Sequence, residues 1–525
     1  MSRRRRRLAV TLSVAALLAA GGTALVTRHD ARPKPVASPS ASPSPAPGGG
    51  GGVLRLLSEN RYPSLDPSAL VTPAARDVGR LLYRTLMTYA ADGHSLVPDL
   101  ATGPGTPSAD RRTWTYELRG GQRYADGTVV VGSDVVRGMR VALTKGALPP
   151  SLVASVSSPR PTTVVVRFAK PFVDADSVVA LTASAPVPPK GVRASGPYQL
   201  ATRSTTAFRL VRNPHWTGHA VGPDEVDAEL GLEGATIDRR LVAGAGGDAA
   251  AVTDKAALDL VPASRKHLVS GLDGSVLFAA LDLHREPFND LLVRQALEVA
   301  FPLAQVRAAA GGDDVGQDAT DLLPPQFPGH QDLQVYGRKA RKSAGDPARA
   351  KVLLADAGHR TGVAITVAVP RSAAAVGEVL RTDLAPAGFR VTVTSVPDAS
   401  YYARVGTPGS QADLVLYAWS PDWLTASAVI PQLFTCAALT PKANHNAAQH
   451  CDRGFDQQVD IALGTLDDNS RTAMWRALDR RLVEEALVVP RSFGVSTALV
   501  GPAVQGAKPV MCFGGMVDLL RVTVS

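Results

Sequence analysis

An α/β chain of more than one domain is predicted, and three observations carry the prediction. At 525 residues the chain exceeds what one small core organises, which points to two or three domains. Residues 363–396 read as strand, helix, strand, an order that implies parallel pairing with a right-handed crossover. Residues 90–185 read instead as a β-rich region inserted into the α/β order. No internal repeat is evident. The composition, 45% hydrophobic and 20% charged, is that of an ordinary globular protein.

The net charge of +9 is unevenly placed. Arg3 to Arg7, Arg28, Arg32 and Lys34 against Asp30 put +7 in residues 1–52, which leaves +2 for the rest. A near-neutral body without a basic block argues against nucleic acid as a partner. Leu8 to Val26 is an uncharged apolar run behind five arginines, so residues 1–30 read as an export signal or a membrane anchor. Its length just spans a bilayer, while Gly21-Gly22 weakens it and Gly22-Thr23-Ala24 is a passable cleavage site. Both readings stay open, and either places the body outside the cytoplasm. Residues 31–52, rich in Pro, Ser and Gly, form a tether.

The body begins with a strand over Val53 to Leu57. A helix is expected over Pro73 to Tyr89, with Val78, Leu81, Leu82, Thr85 and Leu86 at helical spacing. Trp114 to Arg119 alternates as a strand, Gly120-Gly121 turns, Gln122 to Tyr124 returns, and Asp126-Gly127 turns again. Ser133 or Asp134 then caps a helix starting at Val135. Thr162 to Phe168 is a β-branched strand. Val226 to Ala279 alternates short strands and helices, and Phe288 to Ala300 is a helix. Asp346 caps a helix with Pro347 at its first position and Gly358 beyond its end. Asp413 to Trp419 reads as a buried strand. No nucleophile elbow, zinc-protease motif or phosphate loop is present, so no enzyme and no cofactor are expected.

Several of these words, in this order, resemble the extracytoplasmic solute-binding proteins of ABC importers, family 5, the peptide and nickel type. They are Thr113 to Arg140, Ser195-Gly-Pro-Tyr198, Asn213-Pro-His-Trp216, Phe288 to Ala300 and Asp346 to Gly358. The chain departs in two places: Gly21 stands where lipoprotein members carry their lipidated cysteine, and Phe301-Pro302-Leu303 replaces the usual helix ending. The resemblance implies a two-lobed periplasmic-binding-protein-like receptor with a hinge and an additional β-rich inserted domain. Lobe one is expected at 53–89, 186–281 and 490–525, the insert at 90–185, and lobe two at 282–489. The implied function is capture of a solute, foremost a short peptide, by a monomer that delivers it to an ABC permease. A membrane-tethered sensor of the same fold and an exported hydrolase are the alternatives.

The resemblance also implies site residues. Tyr417-Ala-Trp419-Ser-Pro-Asp422-Trp423 is similar to the family's cleft motif, in which an aspartate pairs with a peptide's ammonium. Asp422 takes that position, with Tyr417, Trp419 and Trp423 as pocket walls. The bland alternative makes Asp422 a helix cap before Trp423 and the tryptophans core. Tyr62, in Tyr62-Pro-Ser-Leu-Asp66-Pro67, matches a word near the cleft or forms a plain turn. Cys436 and Cys451 flank a polar loop. A disulfide is the expectation in an oxidising compartment; zinc held with His445 and His450 is the alternative, awkward because His450 and Cys451 are adjacent. Cys512 reads as a core residue.

Overall fold

A computed structural model describes residues 51–525, apart from 219–221, 244–247, 253–267, 340–343, 408, 410–411, 442–443, 512–513 and 515. The readings of residues 1–50 and of Cys512 therefore lie outside the described residues. Among the described residues no helix is long and apolar enough to cross a membrane.

One mixed sheet runs through the molecule. Its order is Phe389–Val396, Val363–Pro370, Leu414–Trp419, Leu268–Leu281, Val488–Val500, Asp248–Val252, Val53–Ser58, Glu225–Leu230, Ala207–Arg212 and Tyr198–Arg203, with Gly316–Asp318 beside Val488–Val500. Leu268–Leu281 and Val488–Val500 are the two long members, and they pair antiparallel along most of their length. They join two halves that have separate cores. One core gathers Leu54, Leu81, Tyr198, Phe208, Val226 and Val500. The other gathers Leu281, Phe288, Leu297, Val367, Phe389 and Leu414. A third core, built from Trp114, Tyr116, Met139, Val164 and Phe168, belongs to the segment that also forms a separate four-stranded sheet, Thr106–Pro107, Thr113–Glu117, Thr163–Phe168 and Val153–Arg160.

The predicted β-α-β unit is present. Val363–Pro370 and Phe389–Val396 pair in parallel around the helix Ala374–Asp383. Helix Pro347–Asp356 is capped as expected, with Asp346 accepting from Arg349 N–H at 3.0 Å. Helix Leu291–Ala300 starts later than expected, because Asp290 caps it by accepting from Leu292 N–H at 2.7 Å.

Three expectations need correction. Gln122 to Tyr124 forms no strand against Thr113–Glu117, which pairs with Thr163–Phe168; Arg123 makes an isolated bridge to Val129 instead. The helix from Pro73 ends at Leu82, not Tyr89. The Leu82 carbonyl accepts from Ser195 and Gly196 N–H at 2.9 and 2.8 Å, so no further turn can form on it. Met87–Tyr89 is instead a strand against Leu96–Pro98. The helix expected from Val135 starts at Gly132. Its N-cap is Val131, whose N–H donates to Asp134 Oδ2 at 3.3 Å; Asp134 thus sits in the first turn and reaches back.

Helix Pro73–Leu82 also buries Asp77. Burial pushes its carboxyl well above the usual range, the Asp518 charge adds to the shift, and Arg80 opposes it. Below about 3.8 both folded and unfolded chains hold this proton. As pH rises, the unfolded chain releases it first, so stability falls until the folded value is passed. Asp77→Asn is therefore expected to flatten the decline of melting temperature as pH rises above the ordinary carboxylate range. Parallel melting profiles for the two proteins would contradict this assignment.

Candidate functional site

The two long strands do more than join the halves. Between Leu272 and Val276 the first strand carries extra residues, Asp273-Gly274-Ser275, opposite Gly494 of the second. Gly274 takes a positive φ of 78°, which glycine adopts at no steric cost. Gly494 leaves room for the bulge, since a Cβ there would lie 2.5 Å from Asp273 Oδ1. The bulge turns Asp273 and Ser275 toward a cavity of about 480 Å³. This is within the roughly 300–1,000 Å³ typical of small-molecule sites.

Both halves line that cavity. Leu70, Thr72, Arg76 and Thr182 come from one side; Val306, Ala310, Tyr402, Tyr417 and Asp422 come from the other. Asp273, Ser275, Arg491, Ser492 and Gly494 of the long strands lie between them. A more open groove of about 640 Å³ follows helix Gly132–Lys145 past Arg137 and Arg140. It is formed by one region alone and holds none of the expected site residues.

Tyr417 and Asp422 reach the cavity, but Trp419, Trp423 and Tyr62 do not line it. Leu414–Trp419 pairs antiparallel with the first long strand, placing Tyr417 opposite Phe278 and Trp419 opposite Val276. Tyr417 shares a hydrogen bond of 3.0 Å with His445 Nδ1. Burial pushes the phenol up and the imidazole down, so both are neutral near pH 7. Trp419 packs 5.0 Å from the His445 ring and donates to the Ala428 carbonyl at 2.7 Å. Trp423 is buried in the core of the β-rich segment, edge-on to Phe172, and donates to Ser427 Oγ at 2.8 Å. Tyr62 packs edge-on to Phe208 in the first core.

No helix starts at Trp423, so Asp422 is not a helix cap. Its side chain, 59% exposed, forms an ion pair with Arg76. A second Arg76 nitrogen donates to the Asp422 carbonyl at 2.9 Å, so the contact bridges the cavity from one half to the other. Cys436 and Cys451 are joined as a disulfide. The zinc alternative is overturned: both sulfurs are used, His445 bonds Tyr417, and His450 Nδ1 lies 2.6 Å from the Phe434 carbonyl. Among the described residues no other metal-ligand cluster occurs.

Sequence reading missed Arg76, Asp273, Tyr402 and Arg491. Two had a local signal. Asp273-Gly274 is a turn pair inside a strand, and Arg491 is a lone charge within Val488-Val-Pro-Arg-Ser-Phe493.

Comparison with known proteins agrees with this geometry. The family model for bacterial extracellular solute-binding proteins, family 5, matches residues 95–440. Di/tripeptide-binding protein 2 of Pseudomonas aeruginosa is 27% identical over 218 residues, which is 40% of this chain and 39% of that protein. The glutathione-binding protein GsiB of Salmonella paratyphi A is 22% identical over 460 residues, 82% of this chain and 87% of that protein. The solved structure of clavulanic acid biosynthesis oligopeptide binding protein 2 superposes with a TM-score of 0.83 at 29% identity, covering 91% of this chain and 96% of that one. The two-lobed α/β architecture expected from the sequence is thereby found, and the chain belongs to the bacterial extracellular solute-binding proteins of family 5.

Proposed function

We propose that this chain is an extracytoplasmic receptor that captures a short peptide between its lobes and delivers it to the permease of an ABC importer. The observation that carries the reading is the cavity lined from both halves across the two long strands. A ligand held there touches both lobes and favours the closed arrangement by its differential affinity. The relatives whose names specify di- and tripeptides, glutathione and oligopeptides support the peptide class. We assign 53–89, 186–281 and 490–525 to lobe one, 90–185 to the insert and 282–489 to lobe two. The chain has no catalytic role in this reading, and residues 1–52 export it or hold it at the extracytoplasmic face of the cell membrane.

In this reading Tyr417 forms a wall and Asp422 receives the peptide's ammonium in exchange for Arg76. Trp419 and Trp423 act by fixing the backbone on either side of Ser420-Pro-Asp422, and Tyr62 supports the lobe-one wall. Native mass spectrometry of the gently purified chain tests the class of ligand. Peptide masses that leave on denaturation are expected; a single non-peptide mass contradicts it. Asp422→Ala should cost about 2 kcal/mol or more of peptide affinity, because closure of the lobes over the ligand would bury the ammonium–carboxylate pair that the exposed Asp422 offers here. Unchanged affinity removes Asp422 from the site.

A further inference from the structure

Three arginines line the cleft cavity, and they are not equivalent. Arg76 has the Asp422 carboxylate, and Arg307 Nε lies 2.8 Å from Asp318 Oδ1. Arg491 has no carboxylate partner among the described residues. Only 7% of the residue is exposed, and its Nε is buried without a hydrogen-bond partner.

The neighbouring groups do not neutralise it. Tyr401 and Tyr402 act on it electrostatically, but burial keeps both phenols protonated. Tyr401 already donates to the Ala368 and Leu416 carbonyls at 2.9 and 2.7 Å. Asp273 is occupied by Ser275 N–H at 2.8 Å, Ser275 Oγ at 2.6 Å and Ser496 Oγ at 3.2 Å. Desolvation lowers the Arg491 guanidinium to about 10, so it is still a cation at neutral pH. An unpaired buried charge is costly, and a planar guanidinium matches a carboxylate with two parallel hydrogen bonds.

We propose that Arg491 is an anion-binding residue on the long strands of the cleft, and that the captured solute presents a carboxylate to it. The proposal rests on the receptor reading and narrows its ligand: a solute without an accessible carboxylate is discriminated against. The charge complementarity sits on the strand that joins the lobes. Binding at Arg491 therefore ties ligand charge to the element about which the lobes move.

The test has two arms on the full chain. In the first, melting temperature is followed with succinate against sodium chloride of equal ionic strength. Succinate is expected to raise it for wild type and Arg491→Lys but not for Arg491→Gln. In the second, a tripeptide mixture is offered as free acids and as C-terminal amides, with retained masses read by native mass spectrometry. Wild type should favour the acids by about tenfold or more, and Arg491→Gln should retain both forms equally. Equal succinate response in wild type and Arg491→Gln, or equal retention of acids and amides by wild type, overturns the proposal. Peptides bound equally in both forms overturn it while leaving the peptide receptor standing. A succinate response dependent on Arg491, without retention of any tripeptide, supports the anion site and overturns the peptide reading instead.

Discussion

Glu298→Ala is expected to destabilise the protein by about 3–5 kcal/mol, the largest single-residue effect the structure implies. Glu298 and Arg338 are both buried and form an ion pair, with Arg338 Nε donating to Glu298 Oε1 at 2.7 Å. The remaining Arg338 nitrogen donates to the Ala319 and Pro490 carbonyls at 2.7 and 2.6 Å. Removing the carboxylate leaves a guanidinium out of water with only carbonyls around it. Pro490 precedes Arg491, so the same pair holds the strand from which the cleft guanidinium projects. Weaker peptide binding should accompany the lost stability. Urea unfolding measures the first and titration the second. Glu298→Gln keeps an acceptor and should lose less. Replacing both Glu298 and Arg338 by Met should recover much of the loss, since no charge is then stranded. A Glu298→Ala loss below about 1 kcal/mol would show that the pair contributes geometry without stability.

How legible the molecule was depended on how local each feature is. Asp346-Pro347 and Gly358 announce a helix because cap, first turn and stop are chemistry among near neighbours. Phe389–Val396 coincides with its expected strand, because β-branched alternation needs no distant partner to be recognised. The end of the Pro73 helix was not legible. Its pattern continues through Thr85 and Leu86, but Ser195 and Gly196 take the Leu82 carbonyl from more than a hundred residues away. The site divides in the same way. Tyr417 and Asp422, expected from their motif, line the cavity, whereas the ion-pair partner of Asp422 lies 346 positions earlier in the chain. Trp423 and Tyr62 show the limit of aromatic residues as signals. A large amphipathic ring serves a packed core as well as a pocket wall, and both rings here serve cores. Arg491 was the more informative residue, because a lone charge in a buried strand requires an explanation that an aromatic ring does not.

Replacing Cys436 and Cys451 together by serine is expected to cost about 3 kcal/mol, from the entropy of freeing a loop of this length in the unfolded chain. The two cysteines are 15 residues apart and bridged. The consequence reaches the cavity through the loop they close. Asn446 Nδ2 donates to the His450 and Thr435 carbonyls at 2.6 and 3.2 Å, and its carbonyl oxygen accepts from His450 N–H at 2.9 Å. The neighbouring His445 holds the Tyr417 hydroxyl and packs on Trp419. Opening the loop therefore loosens the wall from behind, without altering any cavity-lining residue. The double variant should lose stability in urea and bind peptide more weakly. Wild type in dithiothreitol should behave as the double variant does, while the variant itself should ignore the reductant. That pairing separates the bridge from the side-chain change: a serine defect appears only in the variant, and loss of the bridge appears in both. If reductant leaves wild-type stability unchanged, the contacts of Asn446 and His450 hold the loop by themselves. The disulfide then contributes to neither the wall nor the fold.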